Sequence, residues 1–532
     1  MKKHNVAVAI AGMSFLAICA GGEASATNYT VDSAQGFADA VAEIHAGSGG
    51  NHTIALGSDI AFDSTNSSTY SSAITFDNNN TVTILGNNHT LTLATNAVKL
   101  NVSNATLNLG SSSATNALTI AGAGADVDAN GSLIHLTNST LNMYDGVTLT
   151  GNKIGGGSSA CGGAVRVASG ASFIMNGGTI TDNHYQSSAQ ACGGGAIEVD
   201  GYNGSTFTMN GGTISNNTSN FWGGAIHAAG DSEVKVTING GTLSGNTAPY
   251  GAAVALQGES SLTAKRAVFS NNGGASTGYG GAILNYENSA VDIVDSTFNG
   301  NGATHGGAVF TWGATASIAG STFKDNSASY GGAIRNQNKN AITLSNNTFS
   351  GNSASENGGA IYSSKPITSA GDIITENTAD NIGGGVYLAG SNEYIFSTAL
   401  IYNNKAASQA NDAYIDSAST ATLINAASMN KYATFDDQEV FVNAWFADDD
   451  TARYTVAAPT TIVSGMPTGT KYYLTAAYDP DGAQPASDPV TPDTAPENPA
   501  TDDNIYAYIL FLGACVVVLA FAATALSPVD TH

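Results

Sequence analysis

The sequence predicts an all-β parallel solenoid. Three observations carry that prediction: a glycine-rich, charge-poor composition, a tetrad that recurs every 25 to 32 residues, and a second motif that keeps phase with it. The 532 residues include 63 glycines, and 11% are charged, well under the roughly 25% of ordinary soluble domains. With 16 Lys+Arg against 41 Asp+Glu, the net charge of −25 argues against nucleic acid or an anionic membrane surface as a partner. An apolar content of 42% is too high for a disordered chain and too low for a polytopic membrane protein.

In chain order, Lys2, Lys3 and His4 precede an apolar run from Val6 to Ala20, and Ala24-Ser25-Ala26 places small residues where a secretory leader is cut. Residues 1–26 are therefore expected to be a signal peptide, with Thr27 opening the mature chain. A lipoprotein reading would use Cys19, but Ile18 stands where a small residue is wanted. Asp32 or Ser33 can cap a short helix reaching about Ala46, with Phe37, Val41 and Ile44 on one face and Gly47 stopping it. Such a helix would cover the open edge of a first rung. The alternating runs Thr81-Val82-Thr83-Ile84-Leu85 and Thr90-Leu91-Thr92-Leu93 read as strands without the tetrad, so 27–146 is expected to hold the cap and the first rungs.

Residues 147–405 repeat. Gly-Gly-Ala-(Ile/Val) recurs with its alanine at Ala164, Ala196, Ala225, Ala282, Ala308, Ala333 and Ala360, and variants put Ala253 and Gly385 in the same slot. Successive spacings are 32, 29, 28, 29, 26, 25, 27 and 25 residues. Between tetrads, an apolar residue is followed three places later by Asn152, Asn183, Asn217, Asn246, Asn272, Asn301, Asn326, Asn352, Asn377 and Asn404. This period matches one rung of a parallel β-solenoid. Rungs stack about 4.8 Å apart, so a residue recurring once per rung forms a column. Asparagine suits an inward turn column because its amide can donate to one rung and accept from the other. Glycine pairs suit a corner that needs positive φ. Roughly five N-terminal rungs added to ten motif rungs predict a rod of about 70 Å.

Cys161 and Cys192 are 31 residues apart, the same interval as Asn152 to Asn183, which puts them in one phase of consecutive rungs. At about 5 Å between Cα atoms they are within disulfide range; a bond and a pair of stacked thiols are both compatible with that placement.

The paired motifs, as in Phe349-Ser350-Gly351-Asn352 followed by Gly358-Gly359-Ala360-Ile361, resemble the repeats of chlamydial polymorphic outer membrane proteins and of adhesin-like bacterial surface proteins that share them. The resemblance spans roughly residues 147 to 405. It implies a right-handed, single-stranded parallel β-helix of the pectin-lyase type, displayed on the cell surface and used in adhesion. One departure concerns secretion: that family ends in an autotransporter barrel, whereas only about 130 residues follow the last repeat here.

Residues 406–478 lose the repeat and gain aromatics such as Phe441, Trp445, Phe446, Tyr472 and Tyr473, as terminal rungs or a β cap would. Residues 479–504 hold six of the 11 prolines and read as an extended acidic stalk. Residues 505–526 are uncharged and long enough, at about 1.5 Å per residue, to cross a bilayer, so a transmembrane helix is expected there, followed by a short tail at 527–532. Asn498-Pro499-Ala500-Thr501-Asp502 resembles the sorting signals by which sortases attach Gram-positive surface proteins to the wall, although the tail lacks the basic residues of such signals. A sortase substrate and a plain membrane anchor remain the two readings. Both place the repeats outside the cell.

No enzyme, metal or cofactor is expected. Polysaccharide cleavage on this fold would need two carboxylates about 5–10 Å apart, or a calcium-binding acid cluster with a basic proton acceptor. The residue after each tetrad is instead mixed: Arg166, Glu198, His227, Leu284, Phe310, Arg335 and Tyr362. Arg166 and Glu198 read as a surface pair. The acid runs Asp436-Asp437 and Asp448-Asp449-Asp450 lie beyond the repeats. The column with binding promise is Trp222, Tyr250, Tyr279, His305 and Tyr330, each immediately before a tetrad. Aromatic faces bind sugars and protein surfaces; the alternative is that the rings stack on one another and stiffen the rod. The function expected is that of a surface-anchored, non-catalytic adhesin-like rod that binds host or environmental glycans or surface proteins. A polysaccharide lyase or glycosidase and a passive spacer are the rival readings.

Overall fold

Short strands buried at every second residue can satisfy their backbone only by pairing with copies of themselves, and here they do so in parallel, rung upon rung. The computed structural model describes residues 26–47, 49–63, 73–94, 99–113, 117–124, 131–155, 161–186, 192–201, 204–230, 233–396, 399–416 and 419–423, with further strands at 13–16, 128–129, 433–435, 438–440, 444–447, 453–455 and 472–477. Three long sheets form the faces of a parallel β-solenoid of the right-handed type. The first gathers strands from Thr27–Val31 to Thr420–Leu423, the second from Ile60–Phe62 to Leu400–Tyr402, and the third from Ile74–Phe76 to Ala413–Ile415.

The second sheet has 13 strands and the first has 15 from Thr27–Val31 to Thr420–Leu423, so the rod is about 60 to 70 Å long. Ahead of residue 147 the first sheet has five strands, Thr27–Val31, Asn51–Leu56, Thr81–Leu85, Thr106–Leu109 and Thr140–Met143, as many as the rungs expected there, and the second sheet has three, Ile60–Phe62, His89–Leu93 and Leu118–Ala121. The helix Ala34–Ala46 lies between the first two strands of the first sheet. Ser33 is the N-cap, its hydroxyl accepting from the Gly36 N–H at 3.1 Å. Phe37, Ala40, Val41 and Ile44 are buried, and Phe37 meets Phe62 edge-on with ring centroids 6.1 Å apart.

Inward residues stack like on like. Phe269, Phe298, Phe323 and Phe349 are register partners on the second sheet and fully buried. Their rings lie 4.7, 4.6 and 4.8 Å apart and within 11° of parallel. The two glycines of each tetrad serve different ends. Gly306 holds φ at +66°, a left-handed turn, whereas Gly307 sits so close to the next rung that a Cβ would lie 2.1 Å from the Gly332 carbonyl.

At the C-terminal end, Tyr472–Ala477 pairs antiparallel with Ala413–Ile415 and with Ala444–Ala447, so the aromatic stretch after the repeats continues the third sheet with reversed strands. At the other end, Met13–Leu16 pairs antiparallel with Thr27–Val31. The rest of the expected leader, the stalk, the motif Asn498, Pro499, Ala500, Thr501 and Asp502, and the apolar segment 505–526 lie outside the described residues. Among the described residues no helix is long and apolar enough to cross a membrane.

Candidate functional site: an aromatic strip on the third sheet

The corner before each tetrad brings its aromatic residue into register with the next. Trp222, Tyr250, Tyr279, His305 and Tyr330 form consecutive parallel bridges, one per rung. Their ring centroids are 4.7, 5.7, 4.9 and 5.4 Å apart in that order. The rings fold over the outer face of the third sheet and bury Ala255, Leu284 and Phe310 beneath them. Because the rings lean on one another, much of their face area is used internally, and Trp222 is only 9% exposed.

The strip continues beyond the predicted column. The Arg335 guanidinium lies against the rings of both Tyr330 and Tyr362, 5.0 and 4.9 Å from their centroids, and the two rings meet edge-on at 5.7 Å. Tyr362, Tyr387 and Tyr414, register partners, then stack at 4.8 and 4.4 Å. Tyr387 and Tyr414 hold the place after tetrads that have lost their consensus, and the phase of the repeat alone could have identified them. On the neighbouring outward column Trp312 packs edge-on against Tyr286 at 5.6 Å and is 48% exposed. Burial, reinforced by Arg335, lowers the His305 pKa to about 4. His305 is therefore neutral and accepts from Arg335 at Nδ1.

The charged end of the strip differs from the sequence reading. Arg166 and Glu198 do not form a surface pair. Arg166 donates from Nε and Nη2 to Asp200 Oδ2, at 3.0 and 2.8 Å. Glu198 is 1% exposed and pairs with fully buried His227, whose Nδ1 lies 3.0 Å from both carboxylate oxygens. The cause is the roof: the Trp222 ring lies parallel to His227 at 5.8 Å, and Gly193 N–H donates to Glu198 Oε2 at 3.0 Å. Burial, then the Glu198 charge, raises the Asp200 carboxyl, against the opposing pull of Arg166.

Beside these residues Cys161 and Cys192 form a disulfide between consecutive rungs, with Cα atoms 5.4 Å apart. The ten asparagines, Asn152 to Asn404, make an inward ladder. At Asn301, Oδ1 accepts from the backbone N–H and Nδ2 of Asn272, both at 3.0 Å, while Nδ2 donates to Asn326 Oδ1 at 2.9 Å and to the Phe269 carbonyl at 3.0 Å. On the first sheet, away from the aromatic strip, a shallow trough of about 350 Å³ is lined by small side chains such as Thr263, Asp292, Ser317 and Thr343. Among the described residues no group of three His, Cys, Asp or Glu side chains could hold a metal ion.

A three-sheet parallel solenoid with an inward amide ladder and an aromatic edge defines a β-helix repeat protein. The profile of the Chlamydia polymorphic membrane protein repeat matches residues 348–364, the copy that runs from Thr348 through the tetrad at Ala360. The chain is a β-helix protein carrying a repeat of that polymorphic membrane protein type. No curated protein and no solved structure matches it significantly.

Proposed function

We propose that this protein is a surface-displayed, adhesin-like rod that acts by binding rather than catalysis, with the third-sheet strip as its ligand face. The observation that carries the reading is the continuity of that strip: aromatic and imidazole rings on consecutive rungs from Trp222 to Tyr414, bordered by half-exposed Trp312. Mixed apolar faces and polar edges of this kind suit glycans and protein surfaces. The repeat type supports display at the cell surface. Anchorage through 505–526, with or without cleavage by a sortase at Thr501, completes the proposal, as do a pectin-lyase-type cross-section and a capping role for the helix Ala34–Ala46.

The test exposes the purified protein to host glycans, polysaccharides and host surface proteins while retention and new chain ends are both recorded. Retention that falls in Trp312→Ala, with no new ends, is the expected result. New polysaccharide ends overturn the non-catalytic reading. The mutual stacking of Tyr362, Tyr387 and Tyr414 favours a second reading, a stiff spacer, which retention of nothing would support.

A further inference from the structure

The interior amide ladder has a direction. At each step from Asn183 to Asn404 the backbone N–H and Nδ2 donate toward the next rung, so every Oδ1 faces the N-terminal end of the row. Such a row satisfies itself only in the middle. Its first member has an acceptor to fill and its last has donors to place, both in the interior.

Each end meets the one kind of group that fits. Asn152 Oδ1 accepts from Lys99 Nζ at 3.2 Å. Asn404 N–H and Nδ2 converge on Asp412 Oδ1 at 2.9 and 2.8 Å. Both charged residues are buried, and each immediately precedes a third-sheet strand, the slot that the tetrad alanine fills elsewhere. A shorter row repeats the rule. Ser296 N–H donates to Ser321 Oγ, Ser321 N–H to Asn347 Oδ1, and Asn347 N–H and Nδ2 to Asp372 Oδ1 at 2.7 and 2.8 Å, with the Ser369 hydroxyl on the other Asp372 oxygen.

We propose that Lys99, Asp372 and Asp412 are start and stop residues: a donor-only ammonium opens the long row, and acceptor-only carboxylates close both rows. The extent of each side-chain row is thereby bounded by side chains, while backbone pairing between strands continues past its ends. An asparagine at either stop would carry an Nδ2 into the interior with no further side chain of the row to accept it; at Asp372 the next rung places Ala399 in that position. Burying a charge costs stability, so these residues act on register and termination.

Native-state hydrogen exchange on the full chain at about pH 7.5, above the pKa of about 6 for Asp372 and below that of about 8 for Lys99, tests this. In Asp412→Asn the amides of Asn377 and Asn404 exchange at least about tenfold faster, equivalent to about 1.4 kcal/mol, while those of Asn272 and Asn301 keep their rates. Lys99→Met has the same local effect at Asn152 and Asn183. Should Asp412→Asn fail to fold, Asn377→Asp serves as a premature stop: it removes the Nδ2 donor to Asn404 Oδ1, so the amides of Asn377 and Asn404 exchange faster while protection persists through Asn352. Wild-type protection at the ends in Asp412→Asn, or beyond residue 377 in Asn377→Asp, overturns the proposal. Equal acceleration along the whole row also overturns it, because that reports a general loss of packing.

Discussion

Replacing Phe323 with leucine isolates the value of ring stacking from that of burial. Phe323 is fully buried between two near-parallel rings, Phe298 at 4.6 Å and Phe349 at 4.8 Å. Phe349 has one such neighbour, because its partner on the following rung is Ile374. Each aromatic pair contributes about 0.5–1.5 kcal/mol beyond burial, so Phe323→Leu loses about 1–3 kcal/mol in stacking and Phe349→Leu about half as much. Phe323→Ala adds a cavity and costs about 3–5 kcal/mol in all. The assay is equilibrium urea unfolding of each variant, with the slope compared first, since a repeat array can unfold in parts. A Phe349→Leu cost equal to or above that of Phe323→Leu would refute the pairwise reasoning and leave burial alone as the source of stability.

Three other outcomes are expected. Cys161→Ser, or reduction of the wild type, lowers stability by about 3–4 kcal/mol, the chain-entropy value for a closed loop of 31 residues, read as a drop in urea midpoint that reductant does not deepen in the variant. His227→Leu strands the buried Glu198 carboxylate and costs about 3–5 kcal/mol, whereas Glu198→Gln with His227→Leu together cost less than the sum of the two single changes, measured as a double-mutant cycle. Burial raises the Asp372 carboxyl from 3.8 to about 6, so the folded chain holds that proton more tightly than the unfolded one. Its contribution to unfolding free energy therefore rises as pH falls from 7 through 6 toward 4, by an amount on the order of 3 kcal/mol, and Asp372→Asn removes that slope in urea titrations run across this range.

The repeats were legible in the sequence because a solenoid converts position in a rung into position in space. Asn152 through Asn404, the tetrad corners and the column from Trp222 to Tyr330 could all be placed by counting. Local capping chemistry likewise bracketed the helix, between Asp32 or Ser33 and Gly47, with Ser33 taking the cap. Counting failed where a side chain chooses among partners. Arg166 and Glu198 are register neighbours, yet Arg166 reaches Asp200 and Glu198 turns to His227, because the ring of Trp222 closes over the latter pair. Lys99 was invisible for a different reason: it reaches Asn152 across 53 residues and past a rung whose ladder region is glycine-rich, where a Cβ on Gly122 would lie 2.6 Å from Asn152 Cα. The early rungs could be counted only roughly, because those strands carry no motif by which they can be numbered: five precede residue 147 on the first sheet and three on the second.

The interchangeability of neighbouring rungs also bears on inheritance. Thr322, Phe323 and Lys324 pair with Thr348, Phe349 and Ser350, and Asn326 and Asn352 hold the same place in successive copies. An in-frame loss of residues 327–352 would bring Asn326 onto Asn377, rejoin every column and leave both ends of the molecule unchanged. Recombination between copies of the repeat in the gene would therefore add or remove a whole turn with the columns still continuous across the join. Each event changes the reach of the rod by about 4.8 Å, which makes its length a quantity that varies in discrete heritable steps while its cross-section stays the same.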